Sequence, residues 1–343
     1  MGAVSFSQSD FWPIDTCYYI ARKREDDWRY LRALLEYLDL GRLNAATGVP
    51  GLSRRDALAI RGAFPSPEEQ RAIATILESA DAAIERTRDA LRQAIRLQDG
   101  VLQELLTLGI GQEGRVRSIS RDPRLFQPTD IGKMPTGWEI STVGVEFDIQ
   151  TGFTLNVNRR PVLNRRKYLR VANVQRGRLD LTDVSELEAG EDEFQKRKLK
   201  EDDLLVVEGH ADSMQIGRCA MVNKQAAGLT FQNHLYCLRP KRVEANFGCL
   251  WLNSTFAKRY WRRVCSTTSG LNTINQRKLK RMAFPVPPKK ERERICELEA
   301  SASSLVHTVQ GKLSILLDLK RGLMQDLLTG KVRVPAVLEV ARS

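Results

Sequence analysis

The sequence predicts an α+β protein: a mixed-sheet module framed by two long helices that pair as an antiparallel coiled coil. Three observations carry this. Residues 97–107 read LQDGVLQELLT and residues 319–329 read LKRGLMQDLLT, a self-match 222 residues apart. Each copy ends a long helical stretch that opens after a proline pair, AFPSP at 63–67 and AFPVP at 283–287. Between the two lie runs of alternating apolar and polar residues separated by turn residues, the signature of strands. A period this long excludes a solenoid and signals two copies of a unit that joins a globular part to a long helix.

Residues 1–64 read as the tail of a globular domain. SFSQSDFWPI is a short strand, and WRYLRALLEYLDLGRL at 28–43 a helix with the apolar stripe Leu31, Leu34, Leu35 and Leu38. TGVPG at 47–51 breaks the chain. Ser53 is an N-cap for the short helix RRDALAI, with Asp56 at the capping-box position.

The first long helix lies in a spacer at 65–110. Ile73, Leu77, Ala80, Ile84, Thr87, Leu91, Ile95, Leu102 and Leu105 step by threes and fours, interrupted once near Gln98. That is a coiled-coil seam. The second, in a spacer at 288–330, repeats it with Ile295, Leu298, Ala302, Leu305, Val309, Leu313, Leu316, Leu323 and Leu327. Helices of this size are roughly 60 Å long, and one apolar stripe needs a partner along most of that length. The economical partner is the other copy in the same chain; a separate domain or another subunit is the alternative. Gly100 and Gly322 hold equivalent places, although Gly costs about 1 kcal/mol against Ala in a helix. Their recurrence suggests close helix approach or docking of a partner.

A connector at 111–132 leads to the central module at 133–287, and a tail at 331–343 closes the chain. The strand candidates of the module are EISTVGVEFDIQT, KYLRVANV, DLLVVEG, GRCAMVN and LTFQNHLYCLRP. FGCLWLNSTFAKRYWRRVC at 247–265 reads as one helix, and TSGLNTINQRKLKRM at 268–282 as a polar loop entering a short helix.

A chain of 343 residues with 42% hydrophobic residues can bury a sizeable core. No apolar run approaches the roughly 18 residues of a membrane span, so no membrane partner is expected. MGAVSFSQSD lacks the charge and apolar stretch of a secretory signal. Its Met-Gly-x-x-x-Ser pattern fits a myristoylation site, with nothing else pointing to lipidation. Cys17, Cys219, Cys237, Cys249, Cys265 and Cys296 show no paired metal spacing, so the plain reading is reduced, buried thiols in a cytoplasmic protein.

The formal net charge is +12, and its distribution matters more than its size. Residues 133–287 hold 26 Lys+Arg against 16 Asp+Glu, a net of +10, whereas residues 66–108 hold 5 against 8. A cationic surface confined to one module points to a polyanion, nucleic acid by default. A generally basic protein kept soluble by its charge is the bland alternative.

No glycine-rich cofactor loop, phosphate-loop lysine motif or methyltransferase Asn/Asp-Pro-Pro-aromatic tetrad occurs. His210, His234 and His307 have no nucleophile at a recognisable spacing. Asp202, Asp203 and Glu208 faintly suggest a metal site, but acidic residues beside a strand are commoner as solvated turn residues. No catalytic residue, metal ligand or cofactor site is therefore expected.

Reading DNA needs paired donors and acceptors aimed into a groove while Lys and Arg hold phosphates. Three loops supply such residues. The first, at 154–167, offers Arg159, Arg160, Arg165, Arg166 and Lys167. The second, at 208–216, offers His210, Ser213 and Gln215, and the third, at 266–278, offers Thr268, Ser269, Asn272, Asn275, Gln276 and Lys278.

The module resembles a target recognition domain of the specificity subunit of a type I restriction–modification enzyme. The matching phrases are MPTGWEISTVGVEFDIQTGFT, KYLRVANVQRGRLDLTDV, LKEDDLLVVEGHADSMQIGRCAMV, LTFQNHLYCLRP and TSGLNTINQRKLKRMAFPVPP, in the expected order. PSPEEQRAIATILESADAAIERT at 65–87 is similar to the conserved spacers of that family. The resemblance places Arg170, Asn173, Gln232 and Asn233 at strand ends facing one edge. It implies a non-catalytic DNA-recognition subunit that binds double-stranded DNA and recruits methyltransferase subunits and a restriction/translocase subunit. Two recognition domains spaced by rigid helices would read a bipartite site.

Here the departure matters. Before the first helix stand only about 64 residues, with SFSQSDFWPI matching LTFQNHLYCL and nothing equivalent to 134–228. The first recognition domain is thus expected to be a remnant with an uncovered apolar face including Phe11, Trp12 and Leu35; either the sequence begins within a longer one, or the gene is truncated, or the missing part comes from another chain such as a second specificity-type copy. A degenerate or standalone DNA-binding or scaffold protein that reads one half-site is the competing expectation.

Overall fold

The computed structural model describes residues 2–7, 9–14, 17–43, 51–111, 113–268 and 270–335. The chain divides into two compact units, residues 1–95 with 304–343, and residues 96–303. The two long helices, Pro67–Thr107 and Lys289–Leu328, each give one part to each unit. No described helix is long and apolar enough to cross a membrane.

In the first unit, Asp27 caps the helix Trp28–Tyr37 by accepting from the backbone of Arg29 and Tyr30. That helix drops Tyr30 and Leu34 into a core with Ile73, Ala74 and Leu77 of the first long helix and Leu327 and Leu328 of the second. Residues near the start of one helix thus meet residues near the end of the other, which is antiparallel pairing. Gln70 ties the N-terminal segment down: it accepts from Asp27 N and donates to Asp26 and the Pro65 carbonyl. Glu69 does the same for the other end, accepting from the Arg333 guanidinium at 2.6 and 2.8 Å and from Val334 N at 3.0 Å.

Several expectations for this unit are corrected. SFSQSDFWPI forms no strand among the described residues, because no neighbouring strand is there to take its hydrogen bonds. Phe11 and Trp12 are exposed, at 62% and 93%, whereas Leu35 is half-buried. The helix at 28–43 stops at Tyr37, since Asp39 takes a left-handed φ of 46° before a 3₁₀ turn at Leu40–Leu43. Ser53 does cap Arg54–Ala59, accepting from Asp56 N at 3.3 Å. Cys17 is exposed, unlike the buried Cys219, Cys237 and Cys249.

The seam also shifts by one residue in places. Ala94 is buried where Ile95 was expected, and Leu305 is exposed at 49% beside a half-buried Val306. Steps of three and four from Leu91 lead to Ala94 and Gln98, so a polar residue stands in the seam and the larger Ile95 turns outward. Gly100 and Gly322 face open space, so close helix approach is not why they are there.

The second unit is built on a four-stranded antiparallel sheet of Phe147–Thr151, Leu235–Pro240, Leu204–Val207 and Cys219–Met221, neighbours in that order. Its alternation is read on both faces. Leu204, Val206, Cys219, Tyr236 and Leu238 face one core, with Phe247, Trp251 and Trp261 of the helices. Leu205, Val207, Ala220, Leu235 and Cys237 face the other, with Leu169, Val174 and Phe231. A strand covered on both sides explains the unbroken apolar run LLVV. A three-stranded mixed sheet adds the parallel pair Arg165–Leu169 with Thr230–Phe231, and the antiparallel strand Ser185–Glu188.

Two elements differ from the sequence reading for local reasons. EISTVGVEFDIQT is two strands around one helical turn, Val143–Glu146, which buries Val143 and Phe147 while turning Val145 out. The helix expected at 247–265 is two, Ala245–Asn253 and Thr255–Val264, broken at Ser254, whose hydroxyl caps the second by accepting from Ala257 N. Within this unit the long helices again run antiparallel. Gln98 reaches Glu299 and Ser303, while Glu291 accepts from Ile110 N and pairs with Arg117.

Candidate nucleic-acid interface

Three strands of the second unit run the same way and leave at one edge. Gln232 N donates to Leu169 O, which sets Gln232 beside Arg170 at the ends of parallel strands. Glu208 N donates to His234 O, which sets the exit of the central strand beside the 232–234 turn. From there Gly209–His210 pairs with Leu271–Thr273, with His210 opposite Asn272, and Ser266–Thr268 completes a second three-stranded sheet. Two segments that read as separate loops, 208–216 and 266–278, are therefore one ribbon.

Along this edge the candidate side chains divide. His210 Nδ1 accepts from Asp212 N at 2.9 Å, so a neutral ring carries its proton on Nε2 and presents a donor. Gln232 and Asn233 are half-buried, and their amides have no hydrogen-bond partner among the described residues. Arg170 pairs with Asp183 at 2.6 Å. Lys278 donates to the Ser266 hydroxyl at 2.6 Å. Ser213 opens the 3₁₀ turn Ser213–Gln215, which Asp212 caps. Asn272 donates to the Ala211 carbonyl at 2.7 Å and so holds the loop's path. Asn275 and Gln276 serve structure, as N-cap of Gln276–Lys280 and as donor to Ile149 O. The Thr268 side chain and all of Ser269 lie outside the described residues.

Asn173 is the clearest departure. It is 3% exposed, accepts from Arg170 N and donates to the carbonyls of Asp180 and Asp183. A side-chain amide engaged on both sides has nothing left to offer a base.

The arginine loop also divides, by strand alternation. In Arg165–Leu169, residues 165 and 167 share a face and 166 takes the other. Arg166 accordingly stacks over Phe194 and pairs with Glu191, while Arg159 pairs two-pronged with Glu193 at 2.8 and 2.9 Å. Arg160, Arg165 and Lys167 are exposed, with no ion pair among the described residues. Arg165 starts the strand that ends beside Arg170, so it stands roughly 13 Å from that edge. Glu188 fixes the loop itself, accepting from the backbone N–H of Val162, Leu163 and Asn164 at 2.7–3.0 Å. Those N–H groups, from Val162 and Asn164 above all, hold its carboxyl below the usual range.

The acidic residues do not converge. Asp203 is buried and clasped by Arg239 at 2.7 and 2.8 Å, while Glu208 bonds His234 at 3.0 Å. Among the described residues no cluster of His, Cys, Asp and Glu fits a metal ion. Sequence reasoning missed Arg176 and Arg218, which hold the 209–217 loop through Met214 O, Gln215 and Val207 N, and Lys258 on the helix Thr255–Val264; none carries a motif.

The second unit is thus a doubly covered sheet whose strand ends carry basic and amide side chains, beside paired segments of the long helices. Residues 135–298 match the model of the type I restriction modification DNA specificity domain, and this part of the chain is a domain of that family. It is 23% identical over 293 residues to the type I restriction enzyme MjaVIII specificity subunit of Methanocaldococcus jannaschii, covering 84% of this chain and 66% of that protein. It is 23% identical over 276 residues to the EcoKI specificity subunit of Escherichia coli K12, covering 79% and 56%. A chain in a solved structure on complex assembly and conformational transition of the type I R-M system shares the fold, with a TM-score of 0.54 at 16% identity, covering 90% of this chain and 72% of that one. The chain spans about half to two thirds of the length of the curated relatives it matches.

Proposed function

We infer that this chain supplies DNA sequence specificity to a type I restriction–modification system and performs no reaction itself. The observation that carries the reading is the edge where Arg170, Gln232, Asn233 and His210 come together in a module of net charge +10. Hydrogen-bonding groups on the His210 imidazole and on the Gln232 and Asn233 amides discriminate base edges in the major groove. Arg160, Arg165 and Lys167 supply phosphate contacts that position the module without reading sequence.

The partners under this reading are double-stranded DNA, methyltransferase subunits and a restriction/translocase subunit, assembled in the cytoplasm. Outward apolar residues of the helices, Ile95 and Leu97 on one and Ile315 and Leu319 on the other, support a docking role for them. Residues 133–287 are one complete recognition domain and read one half-site; a second specificity-type chain supplies the other.

Footprinting on randomised duplex DNA with the methyltransferase subunit present tests this. One short protected motif, with His210→Ala changing preference at a single base position, is the expected result. Protection of a bipartite site by a monomer, or no protection at all, would overturn it.

A further inference from the structure

Arginines of the second unit differ in the charge of what holds them. Arg292, 7% exposed, is clasped by Glu244, Arg239 by Asp203 and Arg117 by Glu291. Arg218 is equally buried, at 8%, yet its acceptors are all neutral: Gln175 and Gln215 amide oxygens at 3.3 and 3.2 Å, and Val171 O at 3.0 Å. Its Nε is buried with no partner. Arg176 converges on the same turn, donating to Met214 O at 2.7 Å and to Asn253 Oδ1 at 3.4 Å. Lys258, half-buried on the helix Thr255–Val264, has no hydrogen bond or ion pair on its ammonium among the described residues.

Carboxylates nearby do not fill the gap. Asp212, which acts on Arg218 through space, gives its oxygens to Met214 N and Gln215 Nε2. Asp99 acts on Lys258 only through space. Burial first, and then the neighbouring Arg218, push the Arg176 pKa down; burial and then Arg176 do the same to Lys258. Cations crowded together without a counter-charge are unfavourable unless an anion joins them. The cluster also has a place: Arg218 O accepts from Val207 N, so it sits at the root of the 209–217 loop on the edge described above.

We propose that Arg176, Arg218 and Lys258 form a binding site for a phosphodiester of the DNA backbone, which fixes the height and register of the His210 loop over the bases. This rests on the reading of the module as DNA-binding. The guanidinium forks and the ammonium suit one phosphate group, and the site carries no sequence information of its own. Free phosphate shares this chemistry, and the test separates the two.

Duplex binding by the full chain is measured across a salt series for the wild type and for Lys258→Gln, Arg176→Gln and Arg176→Lys. Lys258→Gln is the clean variant, since that ammonium makes no hydrogen bond or ion pair among the described residues. The expected result is that Lys258→Gln and Arg176→Gln each weaken binding to every duplex alike and make the salt slope shallower by about one unit, while Arg176→Lys keeps the slope. A silent Lys258→Gln, with Arg176→Lys failing as badly as Arg176→Gln, would mean the arginines only shape the loop. Melting in inorganic phosphate at fixed ionic strength reads the site even if the wild type binds no duplex. Stabilisation of the wild type that both Gln variants lose, without duplex binding, would make free phosphate the ligand and overturn the DNA assignment.

Discussion

The Gln98 amide donates to the Ser303 hydroxyl at 2.6 Å and to Glu299 Oε1 at 3.0 Å, across the seam of the two long helices. A polar layer in an otherwise apolar seam fixes register, because slipping the helices would bury these groups against carbon. With Gln98→Cys and Ser303→Cys in one chain, mild oxidation is expected to form a disulfide within the monomer. Disulfide-linked dimers alone would show that the helices pair between chains.

Gly100 and Gly322 have no atom near an added Cβ, so each Gly→Ala change is expected to raise stability by about 1 kcal/mol, read from denaturant melts. If either change also weakens pull-down of the methyltransferase subunit, the glycine marks a docking point. Loss of stability would mean that the outward faces are covered in the free protein.

The six cations at 159–170 are expected to fall into two groups. Arg160→Gln, Arg165→Gln or Lys167→Gln should each lower the salt slope of DNA binding by about one unit with no change in melting temperature. Arg159→Gln, Arg166→Gln and Arg170→Gln break pairs with Glu193, Glu191 and Asp183, and should change the slope less while loosening the fold slightly. Equal slopes for all six would show that the ion pairs open on DNA.

Glu188 gives the loop at 162–164 a pH dependence. Its folded pKa is depressed, so its contribution is present above the ordinary Glu range and is lost as pH falls through the lower folded value. Glu188→Gln at neutral pH is expected to speed amide exchange at Val162, Leu163 and Asn164, and the melting difference from wild type should shrink below about pH 4. A difference that persists in acid would assign it to something other than the charge.

Long-period features were legible in the sequence. The helix repeat put both helices inside the spacers at 65–110 and 288–330, with ends two or three residues inside the first and one or two inside the second, because forty residues of consistent stepping average out local ambiguity. The alternation of LLVV and LYCL gave the central strands for the same reason. What escaped depends on contacts made between distant segments. Ser254 breaks a helix with one hydroxyl, and Ile95 loses its place to Ala94 by a single step of three. The site suffered most. Arg165 and Arg166 are identical letters, yet strand alternation exposes one and pairs the other with Glu191, 25 residues on. Asn173 looked like a reader and is a brace. Arg218 matters because of what is missing around it, and no motif records an absence.

The 209–217 loop is closed at its root by two hydrogen bonds, Val207 N to Arg218 O and Gly217 N to Val207 O, between the end of the strand Leu204–Val207 and the residues leading into Cys219–Met221. Lengthening a loop clamped in this way costs little, about 0.6 kcal/mol for each doubling. Insertions and deletions in it therefore leave the sheet intact while changing how far His210 projects. On the proposed reading of the loop, a new target sequence is accessible by altering reach as well as by exchanging side chains, and length variants of this one loop are the place to look for changed specificity.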